Sequence, residues 1–93
     1  MSTIKINKQI KITGKVQGVF FRKSTQDKAR QLGISGWVQN EPDGSVLTEI
    51  EGNVEAIAQM EQWLHQGPER ARVEEVTIVE GEVKGYQDFQ IKR

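Results

Sequence analysis

The stretch Gly14-Lys15-Val16-Gln17-Gly18-Val19-Phe20-Phe21-Arg22 places two glycines, paired aromatics and an arginine between a strand-like run and a helix-like run. Glycine lets a main chain turn successive N–H groups toward one point, and such a concavity attracts anions. The amides from Gln17 to Arg22 lead into a helix N-terminus, whose partial positive charge adds to the pull. Arg22 offers a planar fork that matches two phosphate oxygens. A cation at that end of a helix is unfavourable by roughly 0.3–1 kcal/mol unless an anion joins it. A phosphate cradle reconciles the two, and a plain glycine-containing connector is the reading these residues leave open beside it. Phe20 and Phe21 read as core anchors that fix the loop rather than as ligand contacts.

Other chemistry is scarce. The chain has no cysteine and one histidine, which excludes disulfides, thiolate metal sites and a thiol nucleophile and leaves little for a zinc centre. His65 falls near the end of a helical run, where a cation is favourable, and reads as a capping or surface residue. Glu74, Glu75, Glu80 and Glu82 fall in or beside a strand-like run and read as a solvated face. Asn40, at the end of a strand-like run, reads by position alone as a turn former. No metal ligand set and no cofactor are expected.

The elements that must position the loop follow from periodicity. Alternation over residues 8–14 predicts a strand, and Phe21, Thr25, Ala29 and Leu32 share one face of a helix over 22–32, which Gly33 stops. SGWVQN (35–40) and VLTEIE (46–51) form a hairpin through Glu41, Pro42, Asp43, Gly44 and Ser45. Asn53 is a good N-cap for a second helix over 54–66 with Ile57, Met60 and Leu64 on its stripe, ended by Gly67 and Pro68. Residues 73–80 form a fourth strand, and Phe89 and Ile91 a short fifth or an extension of the edge. The order βαββαβ is that of a ferredoxin-like split βαβ sandwich, an α+β fold with an antiparallel sheet, both helices on one face and the other face partly exposed.

With 93 residues the chain is read as one domain, 1–93. No apolar run approaches the roughly 20 residues that cross a bilayer, and the first residues lack the apolar core of a secretory signal. A cytoplasmic monomer is expected. Of the 13 basic and 13 acidic residues, eight basic and one acidic lie in residues 1–30, so the loop belongs to a cationic third. A solvated strand and helix whose lysines pair with acidic neighbours is the reading left open for most of those cations, with Arg22 the exception.

The loop resembles the signature of the acylphosphatase family, roughly G-x-V-Q-G-V-x-F/Y-R, matched at Gly14, Val16, Gln17, Gly18, Val19, Phe21 and Arg22. A second family segment, G-W-V-x-N then D-G-x-V, is present as Gly36-Trp37-Val38-Gln39-Asn40 and Asp43-Gly44-Ser45-Val46. The similarity extends through Glu51-Gly52 and Gly67-Pro68 to Phe89-Gln90-Ile91. It implies metal-free hydrolysis of a small-molecule acyl phosphate to a carboxylate and inorganic phosphate. By the same resemblance Arg22 binds the phosphoryl group with the amides of Gln17, Gly18, Val19, Phe20 and Phe21, and Asn40 holds the attacking water. Glu41, beside Asn40, adds a negative charge that would weaken anion binding modestly.

An acyl phosphate leaves as a carboxylate whose conjugate acid has a pKa of about 4, so its departure needs no proton. An alkyl phosphate leaves as an alkoxide, which calls for an acid or a metal that this sequence does not offer. The alternative reading is a non-catalytic phosphate or carbamoyl-phosphate binding module of the same fold. Nucleic acid is not an expected partner, since the strands lack the aromatic RNA-recognition pattern and the second half of the chain is acidic.

Overall fold

The structure, a computed structural model, describes residues 4–92; Met1, Ser2, Thr3 and Arg93 of the expected 1–93 domain lie outside the described residues. Its elements are β1 (Lys5–Lys15), α1 (Phe21–Leu32), β2 (Ser35–Asn40), β3 (Val46–Asn53), α2 (Val54–Gln66), β4 (Arg72–Gly81) and β5 (Phe89–Lys92). One sheet runs β4-β1-β3-β2-β5. β1 is antiparallel to β3 and β4, and β3 to β2, which gives the expected sandwich. β5 adds a parallel strand on the edge of β2, so the sheet is mixed there.

Register assigns the faces. Ile10 lies opposite Thr48, Ile12 opposite Val46 and Val38 opposite Thr48, and all are buried on the side that carries the helices. Phe21, Thr25 and Ala29, spaced by four, are the buried stripe of α1; Ala56, Ile57, Met60 and Leu64 are that of α2. Together they form one core. Truncating the fully buried Met60 or Leu64 to alanine would cost about 2–5 kcal/mol.

The opposite face is partly exposed, as expected: Gln9, Lys11 and Val79 are open on it, while one end is covered by residues 82–88, which carry the chain from β4 on one edge to β5 on the other. Two carboxylates hold this crossing. Glu51 accepts from the N–H groups of Lys84, Gly85 and Tyr86 at 2.7, 2.9 and 3.1 Å. Glu49 takes an ion pair from Lys84 and hydrogen bonds from the Tyr86 hydroxyl and the Trp37 indole at 2.9 and 3.0 Å. Asn7 donates to both at 2.8 and 3.0 Å. Each residue therefore sits on a polar face by sequence pattern yet is buried by a segment more than 30 positions away.

The two helices begin differently. Asn53 caps α2, its side chain accepting from the Ala56 N–H at 2.8 Å. The residue before α1 is Phe20, which offers no side-chain cap and sits in the left-handed conformation, and the first turn of α1 holds no acidic residue. That uncapped end faces the loop.

Candidate functional site

The loop is fixed by what it buries. Val16, Val19 and Phe21 are all less than one-tenth exposed and plug into the core, with Phe21 set against the Trp63 ring at a centroid distance of 5.9 Å. Gln17 points the other way, its side-chain amide donating to the carbonyls of Glu41 and Ser45 at 2.8 and 2.9 Å. This ties the loop to the β2–β3 turn. The turn is itself closed by the Glu41 N–H to the Ser45 carbonyl at 2.8 Å and by Asp43, which accepts from the Ser45 N–H and hydroxyl at 2.9 and 2.6 Å. Those Ser45 bonds, and then the Lys11 ammonium, hold the Asp43 carboxyl well below the usual carboxylate range.

Between these anchors the main chain is left-handed at Gly18 (φ 73°) and Phe20 (φ 62°). Beside Gly18 nothing lies within 4 Å of where a Cβ would stand, so the glycine serves the left-handed turn rather than close packing. The first hydrogen bond of the helix runs from the Ser24 N–H to the Phe20 carbonyl. Among the described residues no oxygen accepts from the N–H groups of residues 17–22. Unpaired donors of this kind require a ligand or solvent.

Arg22 stands at the mouth of this concavity, half-buried, and no carboxylate pairs with it among the described residues. Other cations of the first third do pair: Lys8 with Glu61, Lys11 with Asp43, Lys23 with Asp27 and Arg30 with Asp88. Among the described residues, four of the eight are matched. Gly18, Phe20, Arg22, Lys23 and Ile91 line a cavity of about 350 Å³.

Asn40 ends β2 opposite Val46, which places it on the helix side of the sheet, two residues past Val38. Val38 is the register neighbour of Ile91, a cavity residue, so Asn40 belongs to the same corner although it does not line that cavity. Its Oδ1 is buried and has no hydrogen-bond partner. Few buried amides are left this way in folded proteins. Glu41 is turned off by Gln39, whose side chain, on the opposite sheet face, donates to the Glu41 carboxylate at 2.7 Å.

The expected site residues thus divide. Gly18, Phe20 and Arg22 share one cavity; Val19 and Phe21 offer only their main-chain N–H groups, their side chains being buried; Gln17 uses its side chain to brace the loop. Phe20 corrects an expectation: it is not a core anchor but is 74% exposed, because its positive φ swings the ring outward. Ile91 and Lys23 line the cavity and were not foreseen, although the alternation of Phe89 and Ile91 marks the strand that brings Ile91 there. His65, exposed on α2 and bonded to the Glu61 carbonyl at 2.8 Å, does not line this cavity. No cluster of His, Cys, Asp and Glu that could hold a metal ion occurs among the described residues.

A family model described as Acylphosphatase matches residues 8–91. An acylphosphatase of Rubrobacter xylanophilus is 47% identical over 77 residues, covering 83% of this chain and 70% of that one. The solved acylphosphatase of Coxiella burnetii superposes with a TM-score of 0.91 at 38% identity, covering 95% of this chain and 93% of that one. Full-length HypF, solved in a phosphate- and nucleotide-bound form, matches with a TM-score of 0.89 at 28% identity, covering all of this chain and 12% of that one.

Proposed function

This chain belongs to the acylphosphatase family and hydrolyses acyl phosphates to a carboxylate and inorganic phosphate; we propose that the N–H groups of residues 17–22 and Arg22 bind the phosphoryl group while Asn40 places the attacking water. One observation supports this above others: a guanidinium without an acid partner lines one cavity with Gly18 and Phe20 of a loop whose N–H groups lack acceptors among the described residues. Both want the same thing, an anion with several oxygens.

The chemistry asked of them is modest. The phosphoryl oxygens carry the charge of the transition state, and donors fixed before substrate arrives stabilise it without reorganising. The Asn40 amide can accept from a water at Oδ1 and so aim a lone pair at phosphorus, but it is no base. The water proton therefore passes to a phosphate oxygen or to solvent. The carboxylate leaves unassisted, so no metal is called for.

The reading extends to a single-domain cytoplasmic monomer. Steady release of phosphate from benzoyl phosphate, unaffected by a chelator and competitively inhibited by inorganic phosphate, is the expected behaviour of the purified protein. Arg22→Ala should lose most of the turnover and weaken phosphate inhibition while keeping its circular dichroism. Activity that a chelator abolishes, or that survives in Arg22→Ala, overturns the assignment of roles. The likeness to a portion of HypF supports a second reading, a module that holds phosphate without turnover; phosphate binding with no catalysed release from benzoyl phosphate would favour it.

A further inference from the structure

Phosphoryl binding uses the N–H of Phe20 but not its ring, and the ring is the anomaly of the loop. Among the described residues Phe20 is the only one other than glycine with a positive φ. That conformation crowds the Cβ of any L-residue and is an outlier for a bulky one. Glycine would satisfy the same backbone more cheaply. The conformation aims the ring into solvent at 74% exposure, whereas its neighbour Phe21 is 1% exposed. So the ring contributes neither to the core nor to a helix cap. Strain held at a ligand-binding turn is grounds for asking what the strained residue touches.

What it borders is the cavity. Gly18, Arg22 and Lys23 are the polar part of that wall, and Phe20 and Ile91 are the apolar part. An acyl phosphate whose phosphoryl oxygens rest on the loop N–H groups and Arg22 has its acyl carbon one bridging oxygen farther out. The open volume of about 350 Å³ between Phe20 and Ile91 is where the acyl substituent then projects. Lys23 adds no free charge for a substituent carboxylate, being paired with Asp27 at 3.1 Å. Resting on the reading of residues 17–22 and Arg22 as the phosphoryl site, we propose that the Phe20 side chain, opposed by Ile91, is a specificity-determining contact for the acyl half of the substrate and favours flat apolar acyl groups over small ones.

The test compares kcat/KM for benzoyl phosphate and acetyl phosphate in wild type, Phe20→Ala, Phe20→Tyr and Ile91→Ala. Reading the ratio of the two substrates removes any change the substitutions make to the shared phosphoryl site. The benzoyl-to-acetyl ratio is expected to fall about tenfold in Phe20→Ala, the scale of losing part of a buried aromatic contact, mainly through KM. It should persist in Phe20→Tyr, which keeps the ring, and fall in the same direction in Ile91→Ala. Phe20→Gly, which suits the backbone, guards against misfolding and should lower the ratio as alanine does. A ratio that stays at the wild-type value in Phe20→Ala and Phe20→Gly overturns the inference and leaves the phosphoryl site intact. Wild type that turns over neither substrate overturns the phosphoryl site itself and the inference with it.

Discussion

At the scale of single residues, the site is assembled from groups the fold leaves unsatisfied. The Asn40 Oδ1 is buried without a donor, a state that costs free energy in the unliganded protein. Asn40→Ala is therefore expected to separate function from stability. Its activation barrier for benzoyl phosphate should rise by about 3 kcal/mol, by analogy with losing one oxyanion donor, while its unfolding free energy in urea stays level or rises by up to about 1 kcal/mol. A loss of stability equal to that of an ordinary buried polar residue would return Asn40 to a structural role. Phe20→Gly belongs to the same class and should raise stability by roughly 1 kcal/mol by relieving the left-handed strain. The arginine and the loop glycine were legible in the sequence because their chemistry is carried by residue type. The outward turn of Phe20 was not, since two adjacent phenylalanines differ here only in the sign of φ.

At the scale of elements, strand and helix periods placed β2 and α2 at their observed bounds and β1, α1, β3 and β4 within a few residues of theirs. The crossing 82–88 escaped because it has no period, and because Glu49 and Glu51 alternate with apolar residues as solvated side chains would. Only partners from the far end of the chain reveal them as buried. Burial alone would raise the carboxyl of Glu49, but the Lys84 ammonium, Asn7 and the Tyr86 hydroxyl outweigh it and lower the pKa to about 2. Glu51 is likewise pushed up by burial and pulled down further by the N–H groups of the crossing and by Asn7. A lowered carboxyl stabilises the fold fully above its ordinary value, 4.5, and loses that contribution as pH falls through the folded value. Lys84 is shifted upward by Glu49, so its share is present below its ordinary value, 10.5, and is lost as pH rises through the folded one. Urea midpoints should therefore hold across the middle of the range and drop between pH 4.5 and about 2. Glu49→Gln should cost about 2 kcal/mol near neutrality and converge on wild type at the acid end, where Glu49 of the wild type is itself protonated. Parallel curves for the two proteins down to that pH would show that Glu49 does not govern the acid limb.

At the scale of the whole molecule, the sheet separates two tasks by its two ends. The crossing 82–88 binds the end where β1 and β2 start, while the loop, the β2–β3 turn and the close of β5 gather at the other. Charge is divided as well, but formal net charge is zero, and among the described residues four of the eight cations in residues 1–30 are matched by nearby carboxylates. Beyond the cavity the fields of paired charges largely cancel, so the attraction for a dianion at the proposed site is expected to be local to Arg22 and the free N–H groups rather than cast from the entire cationic third. Salt distinguishes the two. Raising NaCl from about 0.01 to about 0.15 M shortens the screening length from roughly 30 to roughly 8 Å, which removes long-range steering and spares contacts at hydrogen-bond distance. The expected fall in kcat/KM for benzoyl phosphate is less than about threefold, against factors of 10 or more for a steered encounter. Sulfate at matched ionic strength should inhibit much further and competitively, because it carries the tetrahedral oxygens that the proposed site of the loop and Arg22 would receive. A tenfold fall with NaCl alone, or sulfate no more potent than chloride, would mean that the anion is drawn by the general cationic surface and not gripped by this one turn.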